Sequence, residues 1–168
     1  MPKLYTGTGD SGFTKTLCGI KLKKNDPSII AIGKIDSLQA ALDNARSECK
    51  NKTMQQAVDL VQEKLWQTCG EISFGRTGGP VKSPVEENDV RKLEGWIDGL
   101  CEGKEFKHFI RFRNKAAIAF SEARVRSREA EIALLPMLEG KKLRPVAFKF
   151  FNRLGGWLYA VACKFEKR

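Results

Sequence analysis

The sequence predicts an all-α fold, a five-helix bundle with a glycine-rich segment at its N-terminus. Three observations predict it. Five stretches carry apolar residues at three- and four-residue spacing, proline and glycine punctuate the short connections, and no segment shows sustained period-two alternation. With 168 residues and 42% apolar content, the chain suits one domain that buries roughly two-thirds of its unfolded surface. Residues 1–25 form the glycine-rich segment and 26–168 the bundle in this reading.

The first helix starts at Asn25-Asp26-Pro27-Ser28, where proline suits the first turn, and continues through Ile35, Leu38, Leu42 and Ala45. A second helix runs from about Thr53 to Phe74 on the stripe Met54, Val58, Val61, Leu65, Cys69 and Ile72. Gly75 to Pro84 is a loop, broken by Gly78-Gly79-Pro80. A third helix spans Glu87 to Cys101 on Val90, Leu93, Ile97 and Leu100. The fourth covers Lys115 to Leu135 and is expected to end at Pro136, with Met137 to Lys142 as a connection. The last helix uses Phe151, Leu154, Leu158, Val161 and Phe165.

Composition narrows the function classes. Five scattered cysteines, odd in number and without a Cys-x-x-Cys pair, argue for reduced thiols and against a disulfide framework. With His108 as the single histidine and no paired cysteines, the sequence argues against a zinc hydrolase as well. No apolar run approaches the ~18 residues of a membrane span, and no signal peptide is visible, so a cytoplasmic protein is expected. The net charge of +10 fits nucleic acid, an anionic small molecule or a solvated basic surface.

Two segments carry phosphate chemistry. Thr6-Gly7-Thr8-Gly9-Asp10-Ser11-Gly12-Phe13-Thr14-Lys15 precedes the first helix. Glycine backbone can turn its N–H groups toward a phosphate and approach it closely, and the threonine hydroxyls and lysine add donors. Alone, such a run fits a flexible tail or a tight turn better than a phosphate cradle. On the fourth helix, Arg124, Arg128 and Glu131 fall within about 60° of one face. Arginine forks suit a triphosphate, and a neighbouring glutamate suits Mg²⁺ or a ribose hydroxyl. The competing reading is an exposed face of helical ion pairs, and Arg126 and Glu129 are assigned to that role.

In order along the chain, these blocks resemble the PduO-type family of ATP:cob(I)alamin adenosyltransferases. Lys3 through Gly12 is similar to the family's ATP loop. Lys24-Asn25-Asp26-Pro27 and Gly33-Lys34-Ile35-Asp36-Ser37-Leu38 resemble its lysine–Asp-Pro entry and first helix. Leu65 to Ile72, Leu93 to Asp98, Ala123 to Glu131 and Phe151-Asn152-Arg153-Leu154 resemble the later helices. The resemblance implies a five-helix bundle of the ferritin-like up-down kind, assembled as a homotrimer with ATP and Mg²⁺ between subunits. Thr6, Gly7, Thr8, Gly9, Thr14, Lys15 and Lys24 would cradle the phosphates, with the loop as a mobile lid. Arg128 and Glu131 would hold triphosphate and metal or ribose, and Asn152 would bond the nucleotide. Asp36 would pair with Arg124 of a neighbouring subunit. Phe109, or failing it Phe112, would lie against the corrinoid.

The chemistry it implies is transfer of the 5′-deoxyadenosyl group of ATP to Co(I) of cob(I)alamin or its a,c-diamide precursor, releasing triphosphate. The product would pass to a cobalamin-dependent enzyme. The chain departs from the family pattern at Ser37, at Phe112-Arg113-Asn114 in place of Pro-Gly-Gly, at Ser127 and at Gly155-Gly156. The glycine pair sits inside a helix, where it costs roughly 1–2 kcal/mol relative to alanine and serves either a close helix approach or a kink. These changes lie on the corrinoid side and leave the phosphate side mostly intact. An ATP-binding or corrinoid-carrying homologue without transfer activity is the alternative. A basic helical nucleic-acid binder is a third, resting on charge alone.

Overall fold

A computed structural model describes residues 5, 7–74, 81–102 and 110–166. Five helices make up most of it: α1 (Pro27–Glu48), α2 (Lys52–Phe74), α3 (Glu87–Cys101), α4 (Lys115–Glu139) and α5 (Pro145–Phe165). Helix α1 packs between α2 and α4, α4 also packs against α5, and α5 against α3. Trp157, Phe120, Phe151, Ile35, Leu65 and Leu134 are among the large side chains sealed in the shared core. Every apolar residue used above to place α1 is buried, which is why its 3.6-residue period could be read from the sequence.

Local chemistry sets the helix starts. Asp26 caps α1, accepting the Ser28 N–H at 2.9 Å and the Ser28 hydroxyl, with Pro27 in the first turn. Asn114 caps α4 by accepting the N–H groups of Ala116 and Ala117 at 2.9 and 3.3 Å. The preceding turn, where Pro-Gly-Gly was replaced, is held from the far end of the chain. One Glu166 carboxylate oxygen accepts the N–H groups of Arg113 at 2.8 Å and Asn114 at 2.9 Å. Those two bonds, the Asn114 one foremost, hold the Glu166 carboxyl below its ordinary range.

That depressed value has a defined sign. The bonded carboxylate stabilises the fold above the unfolded glutamate pKa of about 4.3, and the contribution is lost as pH falls through the lower folded value. Glu166→Gln is therefore expected to lower the thermal midpoint at pH 7. The gap to the parent protein should close as pH drops below that of an ordinary carboxylate. Melting curves of both proteins from pH 7 to pH 3 check this; a gap independent of pH would contradict it.

The structure corrects two expectations. The chain is not wholly without strands: β1 (Phe13–Lys15) and β2 (Lys21–Lys23) pair antiparallel, with Thr14 opposite Leu22. Three residues per strand are too few to display a period of two. The turn is closed by Thr16 and Gly19, and Gly19 adopts a φ of 80°. Helix α4 also does not end at Leu135; it continues through Pro136 to Glu139. Pro136 and Ile132 are exposed, so water can take the Ile132 carbonyl that proline leaves without a donor. The next residue, Met137, is buried and holds the extra turn on the core, while its carbonyl accepts the Lys142 N–H at 2.8 Å.

Candidate functional site

Two clusters emerge, on different sides of the α1–α4 pair. The first surrounds the N-terminal segment. Gly7 and Gly12 take φ values of 70° and 79°, left-handed conformations that a side chain would strain. The chain winds through two turns, Asp10 N–H to Gly7 O and Gly12 N–H to Gly9 O, both at 3.2 Å. The Lys24 N–H then bonds Gly12 O at 2.9 Å and brings the lysine back over the loop. A Cβ on Gly9 would come within 3.1 Å of the Lys24 ammonium, so the missing side chain makes room for that cation.

The hairpin β1–β2 continues this segment and rests on α2, where the Cys18 thiol donates to the Ser73 carbonyl at 3.0 Å. Beneath it lies a cleft of about 530 Å³ between the hairpin, α1 and α2, lined by Thr14, Lys15, Asp36, Trp66, Gln67 and Cys69. Burial, and secondarily the charge of Asp36, pushes the Cys69 thiol up to about 12. At neutral pH it remains a protonated thiol and not a nucleophile.

The second cluster is a groove between α4 and α5, which pack antiparallel in constant register. The Arg124 guanidinium lies over the Tyr159 ring, 5.2 Å from its centroid. Arg128 runs past Gly155, where a Cβ would lie 4.0 Å from Arg128 Cγ. Glu131 Oε1 accepts from Asn152 Nδ2 at 2.8 Å. Gly155 thus leaves α5 without a side chain opposite Arg128, and no described residue pairs with the Arg128 guanidinium. The Cβ distances at Gly155 and Gly156 are 3.5 Å or more, and α5 runs unbroken through both. Neither a kink nor a tight helix approach accounts for the pair.

Arg126 and Glu129 form a surface ion pair at 3.5 Å, as their side of the helix suggested. Glu129 also bonds Lys34 of α1 at 2.9 Å, and this contact, ahead of Arg126, holds its carboxyl low. Phe112 packs edge-on against Tyr159 with ring centroids 6.2 Å apart, which places it beside Arg124. Thr6 and Phe109 lie outside the described residues.

Within the chain, then, the glycine segment meets Lys24, and Arg128 lines up with Glu131 and Asn152, but the two clusters stay apart. Asp36 and Arg124 make no ion pair with each other among the described residues. Asp36 faces the α2 side of α1, whereas Arg124 faces the α5 side of α4.

This is an arrangement with known relatives. The sequence profile of the family described as cobalamin adenosyltransferase matches residues 4–165. The chain belongs to that family. Among its relatives, corrinoid adenosyltransferase PduO of Salmonella typhimurium is 28% identical over 162 residues, 95% of this chain but 48% of that protein. The chain therefore spans about half the length of the PduO relatives it matches. A corrinoid adenosyltransferase of Citrobacter freundii is 28% identical over 96% of this chain and 94% of its own length. Mouse corrinoid adenosyltransferase MMAB is 30% identical over 96% of this chain and 72% of that protein. A variant PduO-type ATP:corrinoid adenosyltransferase from Lactobacillus reuteri, complexed with cobalamin and ATP, superposes with a TM-score of 0.85. It is 25% identical and covers 95% of this chain and 89% of its own.

Sequence reasoning overlooked Tyr159, Glu94 and the role of Arg153. Tyr159 lies seven residues after Asn152 and so shares its helical face, a spacing that could have drawn attention to it. Glu94 reaches Arg153 only through the packing of α3 on α5, which no local pattern encodes.

Proposed function

We propose that this adenosyltransferase-family chain transfers the 5′-deoxyadenosyl group of ATP to the Co(I) centre of a reduced corrinoid. The observation that carries the reading is the unpaired Arg128 fork set between Glu131–Asn152 and Arg124–Tyr159, on a fold shared with a protein complexed with cobalamin and ATP. The Co–C5′ bond forms as the C5′–O bond breaks, and triphosphate leaves with the electron pair. Co(I) is the nucleophile, so the protein needs no nucleophile or general base, in keeping with the protonated Cys69.

What the chain supplies is position and positive charge. Gly7, Thr8 and Gly9 offer backbone and hydroxyl donors to the phosphates, and Thr14, Lys15 and Lys24 add charge and donors; Thr6 belongs to the same segment. Arg128 takes the triphosphate. Glu131 fits a Mg²⁺ role: Asn152 occupies one carboxylate oxygen and the other is left for a cation. Mg²⁺ is commonly held by one carboxylate plus substrate phosphates, so one such ligand suffices. When bound, the ion neutralises triphosphate charge. Phe109, or failing it Phe112, which packs against Tyr159, is assigned to the corrinoid.

The assembly in this reading is a homotrimer that joins the loop of one subunit to the arginine groove of the next, with Asp36 pairing with the neighbour's Arg124. Its support is the separation of the two clusters and an apolar stripe on α4. Ile118, Val125 and Ile132 recur every seventh residue beside the arginine face and are 47, 49 and 64% exposed. No helix among the described residues is long and apolar enough to cross a membrane.

An anaerobic assay with ATP, Mg²⁺ and cob(I)alamin tests the activity. Formation of adenosylcobalamin with stoichiometric triphosphate is expected. ATP binding without any adenosyl product would favour the carrier alternative instead.

A further inference from the structure

Asn152 does not stand alone in the groove. Arg153 donates from Nη1 to Asn152 Oδ1 at 2.6 Å and from Nε to Glu94 Oε1 of α3 at 2.8 Å. On its other side Asn152 Nδ2 donates to Glu131 Oε1 at 2.8 Å. The chain of contacts Glu94–Arg153–Asn152–Glu131 thus spans three helices.

These partners permit one orientation of the Asn152 carboxamide. A guanidinium only donates, so the amide atom facing it must be the oxygen. A carboxylate only accepts, so the atom facing Glu131 must be the nitrogen. A flipped amide would set donor against donor and acceptor against acceptor. In the observed orientation one N–H remains; with Asn152 exposed it meets water in the free protein and is open to an acceptor atom of a ligand. The same bond to Glu131 occupies Oε1 and leaves Oε2 for a cation. The Arg153 and Glu94 side chains are 38 and 37% exposed, so solvent screening leaves their attraction little weight in overall stability. What the pair does set is direction.

We infer that Arg153, tethered by Glu94, is a positioning residue that locks the Asn152 amide with its free N–H toward an acceptor atom of the nucleotide. This rests on the reading of Asn152 as a nucleotide contact. Arg153 acts through Asn152 and touches neither substrate.

The test compares Arg153→Met, Glu94→Gln, Asn152→Ala and the Asn152→Ala/Arg153→Met double variant. Steady-state KM for ATP, KM for cob(I)alamin, kcat and thermal midpoint are measured for each in the full chain with Mg²⁺. Arg153→Met is expected to raise KM for ATP about tenfold, the scale of one lost oriented hydrogen bond. Its KM for cob(I)alamin should stay within about twofold, since that substrate does not depend on the amide. In the Asn152→Ala background the same substitution should add nothing, because the residue it positions is gone. If Arg153→Met does not fold, Glu94→Gln carries the test, since it loosens only the tether.

A full additional loss in the double variant would overturn the inference, showing that Arg153 acts independently of Asn152. So would an unchanged KM for ATP in Arg153→Met and Glu94→Gln alongside a raised one in Asn152→Ala; that result leaves the nucleotide reading standing. An unchanged KM for ATP in Asn152→Ala removes the nucleotide role of Asn152 itself, and this inference with it.

Discussion

Replacing Arg128 with alanine is expected to lower kcat/KM for adenosyl transfer about 10²–10³-fold, the usual cost of removing one preorganised donor from a developing negative charge. The thermal midpoint should barely move. Arg128 is exposed, its guanidinium pairs with no described residue, and Gly155 offers it only an aliphatic contact. Surface substitutions of this kind change stability by about 0.5 kcal/mol or less. The two measurements separate function from folding: assayed activity should collapse while the melting curve holds. Arg128→Lys should recover only part of the rate, because an ammonium keeps the charge but loses the planar fork that engages two phosphate oxygens at once. Turnover in Arg128→Ala equal to that of the parent would remove Arg128 from the site.

The same residue shows how far the site was legible in the sequence. Arg124, Arg128 and Glu131 share a face because helix geometry alone puts them there, and the buried Ala123, Ser127 and Ala130 confirm which face turns inward. What stands opposite them could not be read. In the sequence Gly155 reads as serving a close helix approach or a kink, and its effect of leaving Arg128 uncovered depends on the register of two helices about thirty residues apart in sequence. Tyr159 under Arg124 and Glu94 behind Arg153 come from the same tertiary source. The missed hairpin has another cause: three paired residues per strand are stabilised by docking on α2, not by a pattern of their own. Pro136 was misread because proline's helix-breaking tendency was weighed without the burial of Met137 beyond it.

Co-expression of two individually inactive variants should restore activity if the site is shared between subunits. Lys24→Ala damages the loop cluster and Arg128→Ala the groove cluster, and each protein alone is expected to be nearly inactive. With the two chains carrying different tags, purification through both tags yields only mixed assemblies. In a closed ring where each site takes its loop from one subunit and its arginine from the next, every mixed trimer contains a single site with both halves intact. Activity should therefore return to about a third of the parent's, whichever variant is in excess. A mixed two-site dimer of the same kind would return about a half, so the recovered fraction also reports the ring size. A site closed within one chain would return nothing, since neither variant holds both halves. The fold favours recovery. Asp36 and the loop cleft sit on the α2 side of α1, Arg124 and Arg128 on the α5 side of α4, with the packed α1–α4 pair between them. The packed pair separates the loop from Arg128 within one chain, and the exposed stripe of Ile118, Val125 and Ile132 is the surface we propose a second subunit covers when it lends its loop to Arg128.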